Sequence, residues 1–139
     1  MKPRIGRILA GATALAATAL MMTGATASAQ PDPGIDWDHI YNPNSPSGSS
    51  GVRVYVEEYG DIISVCDSAK DGKSATAVVT DLGFSPSRQY SMTVSSGYGT
   101  CKTHRASDGG KYNLHEKNYV AITFWAKGGD NYAEFYNDH

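Results

Sequence analysis

From Val52 onward apolar and polar residues trade places at every second position, and turn-forming residues interrupt the pattern roughly every 8 to 12 residues. A side-chain period of two is that of a strand with one buried face, and no window of this region carries the 3.6-residue period of a helix. Val52, Val54 and Val56 alternate with Arg53, Tyr55 and Glu57. Gly60-Asp61 then supplies a favoured two-residue hairpin turn, and Ile63 and Val65 follow. Pairing Tyr59 with Ile62 puts all five of these aliphatic residues on one face and Cys66 on the other. Either Cys66 lies outside the main core, or a bulge shifts the phase.

The same reading continues to the last residues. Ser74 to Leu82 is a β-branched run after the turn Asp71-Gly72, with an inward face that is either Ala75/Ala77/Val79 or Thr76/Val78/Leu82. Tyr90, Met92 and Val94 share one face of Gln89 to Ser95, and Thr100 to Thr103 is a short strand carrying Cys101. The clearest hairpin is Asn118 to Lys127 and Asn131 to Asn137 around Gly128-Gly129-Asp130. A turn centred on Gly129-Asp130 pairs Phe124 with Phe135 and makes Val120, Ile122, Phe124, Ala126, Ala133 and Phe135 one apolar face. About seven strands of this kind predict an all-β protein, an antiparallel β-sandwich with an immunoglobulin-like Greek key, the alternative being a small β-barrel.

The N-terminal end reads differently. Lys2, Arg4 and Arg7 precede an Ala/Leu/Met-rich run from Ile8 to Met22 that ends in Ala27-Ser28-Ala29. This is the pattern of a signal peptide, residues 1–29, cleaved before Gln30, and the protein is expected to be secreted and extracellular. A membrane anchor would need about 20 strongly apolar residues, and this stretch is diluted with Thr, Gly and Ala. Residues 30–51 are rich in Pro, Gly, Ser, Asn and Asp and read as a flexible arm before a domain over 52–139. Within that arm the patch Ile35 to Tyr41, with Trp37, is apolar enough to dock on the domain.

Removing Lys2, Arg4 and Arg7 leaves 9 basic residues against 14 acidic ones, a net charge near −5 with histidines neutral. Scattered single basic residues do not build a phosphate-binding patch, so nucleic acid is not expected as a partner. Cys66 and Cys101 are the two cysteines of the chain, and two thiols in an exported domain pair as a structural disulfide. Gly60-Asp61, Val65-Cys66-Asp67, Asp71-Gly72, Ser74-Ala75, Gly99-Thr100-Cys101 and Glu116 before the last hairpin give the chain a further aspect. With the export signal, they resemble the small secreted β-domain proteins of unknown function that are common in actinobacteria. The resemblance implies an exported sandwich with a Cys66–Cys101 bond, and it implies no activity.

Three kinds of chemistry can be weighed on the residues. No Gly-x-Ser-x-Gly elbow, His-Glu-x-x-His pair or phosphate-cradling glycine loop occurs, so the chain is not expected to be an enzyme or to hold a cofactor. The four histidines (39, 104, 115 and 139) show no metal-ligand spacing, and Asp67, Asp71 and Asp108 do not fit a calcium loop, so no metal is expected. The outward face of the last hairpin is more informative. Trp125, Tyr119, Tyr132 and Tyr136 point away from the predicted core, and flat rings beside the hydrogen-bonding groups of Glu134 and Asn131 suit the apolar faces of sugar rings. The opposing possibility is that Trp37 or a neighbouring loop covers these rings. The expectation is a monomeric, non-catalytic binding module for glycan or cell-wall polysaccharide. The alternative is an enzyme inhibitor or protein-binding effector that presents the irregular loop His104 to Lys117 to a protein partner.

Overall fold

The computed structural model describes residues 31–41 and 51–139. Eight strands alternate with short connections: β1 (His39–Tyr41), β2 (Val52–Glu57), β3 (Ile62–Asp67), β4 (Ala75–Asp81), β5 (Arg88–Val94), β6 (Cys101–His104), β7 (Asn118–Trp125) and β8 (Asn131–Asn137). They form two open antiparallel sheets, ordered β1-β2-β3-β6 and β5-β4-β7-β8. The architecture is a β-sandwich and not the alternative closed barrel. The predicted segments from Val52 onward appear as β2 to β8, and β1 is the additional strand.

Period-two alternation builds the core between the sheets. Val52, Val54, Val56, Ile63 and Val65 of the first sheet bury against Ala77, Val79, Met92, Ile122, Phe124 and Phe135 of the second. The ambiguity in β4 resolves to Ala75, Ala77 and Val79 inward, with Asp81 continuing the same buried row while Thr76, Val78 and Thr80 are half-exposed.

Both hairpin turns are longer than predicted. In the first, Val56 faces Ile63 and Val54 faces Val65, and Glu58 to Asp61 form the connection in place of Gly60-Asp61 alone. The cause lies in what the turn binds. The Asp61 amide donates to the Glu58 carbonyl, the Gly60 carbonyl accepts from the Ala106 amide at 2.8 Å, and the Asp61 side chain is turned inward. Gly60 and Asp61 both lie at positive φ, 86° and 52°. In the second hairpin Val120 pairs with Phe135, Ile122 with Ala133 and Phe124 with Asn131, and β7 ends at Trp125 rather than Lys127. Here the Asn131 amide side chain donates to the Phe124 carbonyl at 3.2 Å and closes the loop at that pair. Each correction moves the register by an even number of residues, so every side chain keeps its face.

The segment expected to dock from the arm supplies β1. His39 pairs with Val56 and Tyr41 with Val54, and their rings reach across to Phe135 (5.5 Å) and Phe124 (6.3 Å), covering the core between β2 and β8. Ordered sandwich therefore begins ahead of the boundary expected at Val52. Residues 1–30, with the expected signal peptide, and 42–50 of the arm lie outside the described residues.

Cys66 and Cys101 are directly opposite on β3 and β6 and form the disulfide. The β2–β3 ladder runs unbroken past Cys66, so no bulge intervenes and the bond sits on the outer face of its sheet. There it packs with Tyr55 and under Trp37, whose ring centroid is 5.6 Å from that of Tyr55. The bond closes a separation of 35 residues. In the chain-entropy description this constrains the unfolded state by about 3–4 kcal/mol. Replacing both cysteines with alanine is expected to lower the unfolding free energy in denaturant titrations by about that amount. The sheet signal in far-UV circular dichroism should persist, because neither sulfur belongs to the core between the sheets.

Candidate functional site

The outer face of the sheet β5-β4-β7-β8 collects the side chains that alternation excludes from the core. Tyr119 and Tyr136 are directly opposite each other, with ring centroids 5.1 Å apart and planes at 68°. Further along, Thr123 faces Tyr132, and on the other side of β7 Trp125 faces Thr76 and Thr123 faces Val78. Thr76 in turn exchanges a hydroxyl hydrogen bond of 3.2 Å with Thr93, and Ser91 and Gln89 complete the face on β5. Tyr132 is 64% exposed, Tyr119 50% and Tyr136 44%, whereas Trp125 is half-buried. Trp125 is six positions along β7 from Tyr119, a span of about 20 Å.

This surface is polar but nearly uncharged. Its one carboxylate, Glu134, accepts a 2.6 Å hydrogen bond from the Tyr132 hydroxyl, which fixes that ring and raises its phenol above the ordinary value. Asn131 does not join the face. It lies in the opposite phase of β8, half-buried, with its amide committed to the Phe124 carbonyl. Trp37 does not cover the rings either, since it packs over the disulfide on the other sheet.

The irregular segment His104 to Lys117 contains two short 3-10 turns, Ala106–Asp108 and Gly110–Tyr112. At its start the His104 ring stacks on Tyr112 at 3.9 Å and bonds Asp108 through Nδ1 at 3.0 Å. That bond, with the Arg105 amide, holds the Asp108 carboxyl below its ordinary value. Tyr90 packs edge-on against both rings, and burial pushes its phenol far above the usual range.

At the end of the segment, buried carboxylates from elsewhere in the chain capture the backbone. Asp61 accepts from the Leu114 amide at 2.9 Å and from the Asn137 side chain at 3.0 Å. Asp81 accepts from the His115 amide at 2.8 Å and the Gly83 amide at 2.9 Å. Gly83 is required by the packing, because a Cβ there would lie 2.4 Å from the His115 ring. A pocket of about 470 Å³ opens at this end of the molecule, lined by Tyr59, Ile62, Arg105, Ser107, Glu116 and His139. Those residues come from separated segments with no shared motif, so the sequence carried no signal for the pocket.

Two of the acids weighed for calcium close turns. Asp67 accepts from the Ala69 amide and Asp71 from the Lys73 amide, each two residues on. No family model, curated protein or solved structure matches the chain.

Burial holds the Asp61 carboxyl above its ordinary value of 3.8, outweighing its two hydrogen bonds, and nearby Asp81 adds to the effect. The folded chain thus keeps this proton to higher pH than the unfolded chain. The group's contribution to stability is fully present below the unfolded value and is lost as pH rises through the raised folded value. Asp61→Asn removes the titration. The difference in unfolding free energy between wild type and Asp61→Asn, read from urea titrations, is therefore expected to fall with rising pH across that window. A pH-independent difference would contradict the assignment.

Proposed function

We propose that the protein is an exported, non-catalytic binding module that takes an extended glycan on the outer face of β5-β4-β7-β8. The observation that carries this reading is the line of rings from the Tyr119/Tyr136 pair past Tyr132 to Trp125, set on one outer sheet face among threonine and serine hydroxyls. Sugar rings present apolar C–H faces and equatorial hydroxyls. Exposed aromatic rings take the first and neutral hydrogen-bonding groups the second. Tyr132 is the best placed contact, because its hydroxyl is oriented by Glu134 while its ring remains open. The edge-to-face arrangement of Tyr119 and Tyr136 lets only one of the two lie flat against a sugar.

The export signal and a disulfide fit an extracellular setting. The connectivity fits an immunoglobulin-like arrangement, since β3 pairs with β6 in one sheet while β4 pairs with β7 in the other. The likeness to small secreted actinobacterial β-domain proteins agrees with both points.

The His104 to Lys117 segment supports a second reading, a protein-binding effector. Its anchoring by Asp61 and Asp81 would lower the entropy cost of presenting it to a partner.

The test is retention of the protein on insoluble cellulose, chitin and bacterial cell wall. Wild type is expected to be retained on at least one of them, and Tyr132→Ala and Trp125→Ala to be lost. Tyr132→Ala should change the unfolding free energy by no more than about 0.5 kcal/mol, as for a surface substitution. Trp125→Ala should cost more, because that ring is half-buried. Retention of both variants, or no retention of wild type on any support, would sink the glycan reading and leave the effector reading.

A further inference from the structure

Outside the ring face, the ends of β2 and β8 bring together a second constellation. Glu58 directly follows β2, and Asp138 and His139 directly follow β8. The Asp138 amide donates to Glu58 Oε2 at 3.2 Å across a separation of 80 residues. One ligand atom from each of Glu58, Asp138 and His139 lies within 4.8 Å of the others. We propose that these three residues form a binding site for a divalent transition-metal ion of the zinc type.

The Glu58 carboxylate is held in place before any ion arrives. Its side chain is only 12% exposed, and His39 Nε2 lies 2.7 Å from Oε1. The Glu58 amide is tied to Asp38 Oδ2 at 2.9 Å. An imidazole bonded to a ligating carboxylate is the outer partner that orients ligands in metal centres.

Charge points the same way. Among the described residues no Lys or Arg lies within ion-pair distance of Glu58 or Asp138, whose partners are His39 and His139. Asp38, whose carboxylate accepts from the Glu58 amide, and the neighbouring Glu57 add further negative charge. Among the described residues, this corner is therefore rich in carboxylates and has no Lys or Arg paired with Glu58 or Asp138.

The donor set selects the ion. One imidazole nitrogen with two carboxylates suits zinc and its neighbours, whereas calcium takes six to eight oxygens and magnesium an octahedral oxygen shell. His139 also lines the 470 Å³ pocket with Tyr59, Arg105 and Glu116. The pocket leaves room beside the imidazole for water or a small anion to complete a four-coordinate shell. No local pattern marks this site, because Glu58 lies 80 residues from the adjacent pair Asp138 and His139 and meets it only through the sandwich.

The experiment is calorimetric titration of the protein, carrying no histidine tag, with Zn²⁺, and with Ca²⁺ and Mg²⁺ in parallel. Wild type is expected to bind one Zn²⁺ per chain saturably and in preference to the other two ions. His139→Ala and Glu58→Gln should each weaken zinc binding by about tenfold or more, and His39→Ala by a smaller factor. His104→Ala, which alters a different histidine–carboxylate pair, should bind as wild type. His139 is exposed beyond the last strand, so its variant tests the site without unfolding the sandwich. Wild-type affinity no greater for zinc than for calcium, unchanged binding by His139→Ala, or an equal loss in His104→Ala would overturn the proposal.

Discussion

Two sheets of mainly valine, isoleucine and alanine must bury their inner faces against each other, and every other feature of the molecule is arranged around that demand. Fully burying an aliphatic side chain of this size contributes about 1.5–3 kcal/mol. The row from Val52 to Val65 on one sheet and the row from Ala75 to Phe135 on the other therefore hold the largest share of the favourable energy. Because side chains alternate strictly along a strand, filling the inner faces also decides what is left outside. One outer face receives the disulfide, Tyr55 and Trp37. The other receives the tyrosines, Trp125 and the threonines.

Connections between the sheets carry a second, polar layer of organisation. Asp61, Asp81 and Asn137 are buried among apolar neighbours, and their side chains take up backbone amides and a carbonyl from the longest irregular segment. Burying the two carboxylates is tolerated because each accepts two hydrogen bonds there, and the Asn137 amide nitrogen donates to Asp61 and the His115 carbonyl. The segment from His104 to Lys117 is thereby fixed at Leu114 and His115 from below and at Ala106 by the Gly60 carbonyl. This clamping, together with the C-terminal residues after β8, shapes the pocket and brings Glu58 close to His139.

What was legible in the sequence follows from the same physics. Strand positions and, outside β4, inward faces were readable, because they depend on local alternation and survive an even register shift; in β4 both faces are apolar or β-branched, and only the packing chose Ala75, Ala77 and Val79. The hairpin registers were not readable, since Asp61 and Asn131 choose them by bonding Leu114, Asn137 and the Phe124 carbonyl, partners that local turn chemistry does not mention. The ring face was legible residue by residue for Tyr119, Tyr132, Tyr136, Glu134 and Trp125. Asn131 was expected at the first position of the same strand, but alternation sets it in the opposite phase from Tyr132 and Glu134, and its amide goes to the Phe124 carbonyl. The docking of Trp37 had a compositional hint in Ile35 to Tyr41, but its seat over the disulfide required the tertiary arrangement. The pocket and the Glu58–His139 corner had no local signature at all.

Direct opposition of Cys66 and Cys101 has a consequence for how the chain matures. β6 joins the sheet of β3 after the chain has crossed to the other sheet and back. With two cysteines in the chain, Cys66–Cys101 is the one intramolecular bond that oxidation can make, whether the strands have paired or not. Once made, it holds β3 and the edge strand β6 together across that excursion, so an oxidised chain searches for its fold with one long-range pairing already closed.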